Sequence, residues 1–136
     1  MATNIIYDRI FKGLKAILKS KNRVFVRGEK VPTRSNEFVR LSLESSPFQI
    51  ENTGPTSAMR YTVYVDFITN HRENTRYVTQ SIADISDILN DNPCYSSGGV
   101  YYWHDGVIQE SEFGPADEDE YAARLVWSAT HTEIKS

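Results

Sequence analysis

The stretch Arg60-Tyr-Thr-Val-Tyr-Val-Asp-Phe-Ile-Thr69 decides the fold, because it alternates between apolar and polar side chains and then leads into a helical pattern. One face of a strand at this place would carry Tyr61, Val63, Val65 and Phe67. This two-residue period is typical of a half-buried β-strand. After a polar bend at residues 70–74, apolar side chains recur at the spacing of an amphipathic helix: Val78, Ile82, Ile85 and Leu89. The stretch therefore predicts an α+β domain.

The flanking segments predict an antiparallel or mixed sheet of about four or five strands, with two helices packed on one face. A first helix is predicted over residues 3–20, and its Gly13 indicates a close packing contact. Residues 44–58 predict a strand end, a protruding hairpin or a long loop. Further strands are predicted over residues 24–26, 38–43, 100–103, 107–108 and 121–133.

Two local features of the second half of the chain complete the prediction. Asp105-Gly106 indicates a turn between the strand pieces at 100–103 and 107–108. The acidic run at 110–120 indicates a surface loop. The last strand is long, and we expect it inside the sheet or paired with a neighbouring subunit.

Length and composition indicate one globular domain over residues 1–136, since domains usually hold roughly 100–200 residues. The net charge of −3 argues against a general nucleic-acid binder, which carries a clustered basic excess. Cys94 is the single cysteine, which excludes an internal disulfide and fits a reducing compartment. No apolar run approaches the roughly 18 residues of a membrane span. Lys12 and Lys15 interrupt the N-terminal apolar residues, so no signal peptide is predicted and the cytosol is the expected location.

Histidine, cysteine and carboxylate side chains form no recognisable catalytic or metal-binding pattern in the sequence. His71, His104 and His131 fall in different predicted elements, and none belongs to a zinc motif. His104 and Asp105 are neighbours in the chain, and adjacent side chains of a strand point to opposite faces. We therefore predict no catalytic, metal-binding or cofactor-binding residue, and no enzyme.

Two charged runs predict solvated surfaces. The acidic run contains four consecutive carboxylates at a spacing that differs from that of a calcium loop: Asp117, Glu118, Asp119 and Glu120. The basic run predicts a solvated helix face, with a phosphate-binding role as the alternative: Lys12, Lys15, Lys19, Lys21 and Arg23.

The order of these elements resembles that of the tail terminator, or tail-completion, proteins of long-tailed bacteriophages. The resemblance is carried by the opening helix at residues 5–18, the strand at 60–69 that leads into the helix at 77–89, and the final strand at 121–134. The segment at 44–58 also fits, since these proteins have an extended hairpin or loop there. The similarity covers most of the chain, and it is one of layout and size.

The resemblance implies a structural virion protein that forms a hexameric ring at the top of the tail. Its implied partners are copies of itself, the tail tube protein, the head–tail connector proteins and genomic DNA that passes through the lumen without specific binding; no membrane partner is implied. The implied location is the virion neck, after assembly in the host cytoplasm. The interface candidates are Phe48, Ile50, Trp103, Asp117, Glu118, Asp119 and Glu120. In a ring, the acidic run would line the lumen and repel DNA.

Two other function classes remain open from the sequence. One is a head–tail connector or neck protein of similar size. The other is a small cone-shaped α+β enzyme or ligand-binding domain, whose pocket would be built from Asp66, Tyr64, His104 and Trp103. A pocket enzyme would turn a carboxylate inward among apolar residues, whereas Asp66 is predicted on the strand face opposite Val63 and Val65. The predicted face of Asp66 therefore favours the structural protein.

Overall fold

The computed structural model of the protein describes residues 4–33, 36–44, 47–53, 56–114 and 121–134, and for residues 48–53 and 134 it describes the backbone alone. Helix α1 joins a π-helical part, Ile6–Phe11, to an α-helical part, Lys12–Leu18. Helix α2 spans Thr75–Asn90. The strands are β1 Val24–Val26, β2 Glu37–Leu43, β3 Phe48–Thr53, β4 Thr56–Thr69, β5 Tyr95–Ser97, β6 Val100–Phe113 and β7 Ala123–Ile134.

The strands form one curled sheet in the order β1-β2-β4-β7-β6-β5, and β3 pairs with β4 off this path. Strand β1 runs parallel to β2, whereas β2, β3 and β7 all pair antiparallel with β4. The α+β class is confirmed, with more strands than the four or five that we expected. The final strand lies inside the sheet between β4 and β6, which confirms one of its two predicted positions.

The core lies between one face of the sheet and the two helices. The predicted apolar face of β4 is buried in full, as is the predicted stripe of α2: Tyr61, Val63, Val65 and Phe67 on the strand, and Val78, Ile82, Ile85 and Leu89 on the helix. Helix α1 adds Ile10, Phe11, Leu14 and Leu18 to the same cluster. Asn74 caps α2, since its side chain accepts a hydrogen bond from the backbone N–H of Tyr77. Both helices therefore pack against the apolar face of β4, as predicted.

Gly13 marks a close contact between α1 and the sheet, as predicted. A Cβ atom placed on Gly13 would overlap the indole ring of Trp103 on β6. Trp103 has no exposed surface, and its ring also packs edge-on against Trp127 at a centroid distance of 5.0 Å. Glycine at this position lets the helix backbone lie directly on the indole ring.

We expect Gly13→Ala to destabilise the protein by about 1–3 kcal/mol, because the added methyl group must displace a fully packed indole ring. The helix propensity of alanine opposes this loss by about 1 kcal/mol at most. The free energy of unfolding from urea denaturation measures the balance. Lys12→Ala at the exposed neighbouring position is the matched control, and it should leave stability almost unchanged. Equal or higher stability of Gly13→Ala would show that the contact is loose.

Strand β6 runs unbroken from Val100 to Phe113, so the turn predicted at Asp105-Gly106 is wrong. The register of β6 against β7 shifts between His104 and Val107, and Asp105 has a φ of 53°. Such a shift is a β-bulge, which accommodates an extra residue without ending the strand. The backbone N–H of Gly106 donates to the carbonyl of Pro93 at 2.8 Å. The Asp-Gly pair therefore forms a bulge that a neighbouring loop holds.

Two further segments differ from the prediction. Residues 110–113 continue β6, so the predicted acidic loop does not begin at Glu110. Gly98 and Gly99 have φ angles of 59° and 78°, and they form the two-residue turn between β5 and β6. Strand β5 itself was not predicted. Of the three forms predicted for residues 44–58, the structure adopts the hairpin, in which β3 pairs with the first part of β4.

Candidate functional site

The face of the sheet opposite the helices carries a buried ion-pair cluster. Asp66 on β4 has no exposed surface, and its carboxylate accepts hydrogen bonds from Arg124 on β7 with Nε–Oδ1 and Nη2–Oδ2 distances of 2.6 and 2.9 Å. Arg40 on β2 adds a longer contact of 3.5 Å from Nη2 to Oδ2. The strand register places the three residues directly opposite one another across β2, β4 and β7. The cluster therefore ties together the three central strands.

Two aromatic rings enclose the guanidinium of Arg124. Its Cζ atom lies 3.7 Å from the ring centroid of Tyr64 and 4.1 Å from that of Tyr121. The hydrogen bonds to Asp66 hold the pKa of Arg124 above its ordinary value. Tyr121 donates its hydroxyl proton to Glu112 at 2.7 Å, and this bond raises the pKa of the Tyr121 phenol. The rings shield the ion pair from water and fix its geometry.

A second polar network lies further along strands β4 and β7. Arg60 donates to the hydroxyl groups of Thr130 at 2.9 Å and Ser128 at 2.8 Å. It also donates to the carbonyl of Asp105 at 3.2 Å, at the bulge of β6. Gln109 donates to the same Ser128 hydroxyl at 2.9 Å. The network therefore links β4, β7 and β6 through side chains and holds the bulge in place.

Two of the histidines belong to the sheet. His104 contacts the hydroxyl of Thr132 at 3.1 Å, and its Nδ1 lies 3.3 Å from the carboxylate of Asp105. The expectation that His104 and Asp105 point to opposite faces is therefore wrong, because the bulge at Asp105 breaks the alternation. His131 is buried and donates from Nδ1 to the carbonyl of Tyr102 at 2.6 Å. Burial lowers the pKa of the His131 imidazole.

Trp103 was predicted as an interface residue, and the structure corrects that prediction. Its side chain has no exposed surface, and its indole N–H donates to the carbonyl of Asn92 at 3.0 Å. Its ring stacks on Tyr95 at a centroid distance of 5.1 Å. A side chain that is enclosed in this way contributes to the core and has no surface for a second subunit.

The four residues of the alternative enzyme pocket do not form one pocket. Asp66 and Tyr64 both contact Arg124, whereas His104 lies at the Thr132 end of the sheet and Trp103 lies in the core. Asp66 does lie on the strand face opposite Val63 and Val65, as predicted, and it is fully buried there. Its neighbours are two arginines instead of apolar residues.

The other interface candidates lie in parts of the chain where side chains are not described. Phe48 and Ile50 belong to β3, whose backbone pairs with β4. Asp117, Glu118, Asp119 and Glu120 lie outside the described residues. Within the described ranges, no group of three or more histidine, cysteine, aspartate or glutamate side chains is placed to hold a metal ion.

The arginines that organise the polar face were not predicted as site residues. Arg124 lies on the polar side of the predicted last strand, and Arg60 lies on the polar side of β4. Each arginine lies on one strand directly opposite an acidic or hydroxyl side chain of the paired strand. This pairing is the signal that could have identified them. That signal becomes readable only when the pairing of β4 with β7 is known.

A comparison with known proteins finds a similar fold in a solved structure. No family model matches the sequence, and no curated protein matches it. One solved structure, whose name states no function, aligns with 100% of this chain and 97% of its own, at a TM-score of 0.51 and 16% sequence identity. This likeness shows that the fold occurs in a second protein of similar length. Neither helix in the described part of the chain has the length and hydropathy of a bilayer span.

Proposed function

We propose that the protein is a structural component of a long-tailed bacteriophage that caps the tail tube as a hexameric ring. In this role it ends polymerisation of the tube and presents a surface to the head–tail connector proteins. Genomic DNA passes through the lumen of the ring without specific binding. The protein assembles in the host cytoplasm and stays in the virion neck. The basis of the proposal is the resemblance in element order.

The β3–β4 hairpin is the observation that supports the proposal best. Strand β2 pairs with β4 from Val63 to Thr69, whereas β3 pairs with the earlier part of β4 from Thr56 to Arg60. The hairpin therefore extends the sheet past the end of β2. Segments that project from a packed scaffold are suited to contact a partner. We propose that this hairpin reaches the next subunit or the tail tube, with Phe48 and Ile50 as its apolar contacts.

The test replaces the apolar pair on β3 by Phe48→Ser/Ile50→Ser. We expect the variant to keep its fold, because β3 forms only an extension of the sheet, and to lose ring formation on the tail tube. In an infection assay, it should give tails of uncontrolled length or heads without tails. Gln49→Ser/Glu51→Ser is the matched control, because it introduces two serines on the same strand and removes no apolar side chain.

Deletion of residues 46–56, with a glycine linker between the remaining ends, is the stronger form of the test. The deletion removes β3, and β4 keeps its pairing with β2 and β7, so the melting transition should persist. Native mass and negative-stain images of the protein mixed with tail tube protein report assembly. Normal tails and normal rings from the deleted form would overturn the proposed role of the hairpin.

A further inference from the structure

A basic groove lies between helix α1 and strand β1, at one end of the strand order. Its volume is about 570 Å³. Its apolar lining consists of Ala16, Val24 and Phe25, and its cationic lining consists of Lys12, Lys15, Lys19 and Arg23. Lys15 is paired with Glu29 at 2.9 Å, whereas Lys12 and Lys19 are exposed. The groove therefore combines an apolar surface with a positive charge.

The opposite end of the strand order carries the complementary features. Strand β5 pairs with β6 only over residues 100–103, and the remainder of β6 has β7 as its one neighbour in the described chain. This half of β6, residues 107–113, carries exposed Glu110 and Glu112, and Glu112 also accepts the hydrogen bond from Tyr121. The strand register puts Val107, which is 46% exposed, on the same face as Glu110 and Glu112, whereas Phe113 lies on the other face. An acidic strand half with an exposed valine on the same face therefore lies at this end.

The two ends of the strand order also differ in the hydrogen bonds that their edge backbone groups make. At the β1 end, the carboxylate of Glu29 accepts a hydrogen bond from the backbone N–H of Val26 at 2.5 Å, and the N–H of Glu29 donates to the carbonyl of Val26 at 2.9 Å. The backbone groups of Val26 are therefore paired within the chain and are not available to a further strand. Contact at this end must therefore use the side chains of the groove rather than a continued sheet.

We propose that residues 107–113 of one copy of this chain dock on the basic groove of the next copy. Carboxylates then meet ammonium groups, and the exposed side chain of Val107 meets the apolar lining of the groove. A two-fold contact would bring like charges together at either end, and like-charge contacts across an interface cost several kcal/mol. A head-to-tail contact satisfies both ends, and such contacts close into rings when their rotation allows it. The inference rests on the proposed function in one respect, namely that a ring is the assembled form.

Charge reversal tests the inference through two variants. Glu110→Lys/Glu112→Lys makes the strand half basic, and Lys12→Glu/Lys19→Glu replaces two of the four groove cations by carboxylates. Each variant alone is expected to raise the dissociation constant of self-association by at least about tenfold. Raising the ionic strength to about 1 M, where the Debye length is about 3 Å, should weaken association of the parent protein. Analytical ultracentrifugation measures both effects.

The decisive measurement mixes the two reversed variants. The basic strand half of one variant then faces the two carboxylates introduced in the groove of the other. The remaining contact keeps its original charges, so the mixture should assemble again. Asp87→Lys/Asp91→Lys is the matched control, because it makes the same charge change at exposed positions near the end of α2. This control should associate like the parent, and circular dichroism should show that all variants are folded.

Three outcomes would overturn the inference. They are a parent protein that stays monomeric at high concentration and low salt, reversed variants that associate as the parent does, and a mixture that fails to assemble. The proposed function is tested separately by tail length in the infection assay. Normal tail termination by both reversed variants would overturn the inference and leave the capping role intact, whereas normal tails without the protein would overturn the capping role.

Discussion

Val65→Asp is expected to unfold the protein. Val65 has no exposed surface, and it lies at the centre of the sheet opposite Leu41 on β2 and Leu125 on β7. A carboxylate at this position would face α1 and α2 without a partner in the apolar core. Burial of an unpaired polar or charged group costs several kcal/mol, against a total stability of about 5–15 kcal/mol. The expected result is loss of the cooperative melting transition and of soluble expression.

Val100→Asp is the matched control for this substitution. Val100 is also a strand valine, but its side chain is 37% exposed at the start of β6. Water can solvate the new carboxylate there, so this variant should melt cooperatively near the temperature of the parent. A soluble Val65→Asp protein with a cooperative transition would mean that the buried face of β4 is assigned wrongly.

The central strand and the second helix could be predicted in detail because each has a single apolar face. In β4, apolar side chains recur at every second residue, and in α2 they recur every three or four residues. Each pattern specifies both the element and the side of the element that is buried. The sequence of β7 is less decisive, since residues of both faces are buried, among them Leu125 and Val126. Its length was the feature that indicated an internal position.

Strand β6 could not be predicted in full because its neighbours determine its path. Asp105-Gly106 is a turn signal in isolation, and here the pairing with β7 on both sides of the bulge overrides it. The acidic residues Glu110 and Glu112 were assigned to a loop, yet the exposed half of an edge strand tolerates charge. Local sequence preference was therefore overridden by tertiary pairing in both segments.

The ion-pair cluster on the polar face of the sheet also could not be predicted from local sequence patterns. The alternation of β4 assigns Asp66 to the correct face, but burial of that face depends on Arg124, which is 58 residues away in the chain. The two rings that cover Arg124 come from different segments, Tyr64 and Tyr121. No local pattern carries this information. The pairing of β4 with β7 is the one fact that brings the cluster together.

Asp66→Asn is expected to lower the free energy of unfolding by about 3–5 kcal/mol, because it leaves the guanidinium of Arg124 without its counter-charge. The amide keeps the shape of the carboxylate, so the loss reports charge rather than packing. The Arg124 side chain is only 17% exposed, and water cannot replace the lost partner. The midpoint of urea denaturation at a constant m-value measures the change.

Asp87→Asn, at an exposed position of α2, is the matched control and should change stability little. The double variant Asp66→Asn/Arg124→Gln removes both charges, and it should be more stable than Asp66→Asn alone, since removal of a whole buried pair costs less than removal of one partner. This order of stabilities separates a coupled ion pair from two independent side chains. If Asp66→Asn were as stable as the parent, or if the double variant lost the sum of the two single losses, the cluster would not hold the sheet together. The polar face would then be open to the ligand-binding alternative, in which Asp66 and Arg124 are retained for a partner rather than for each other.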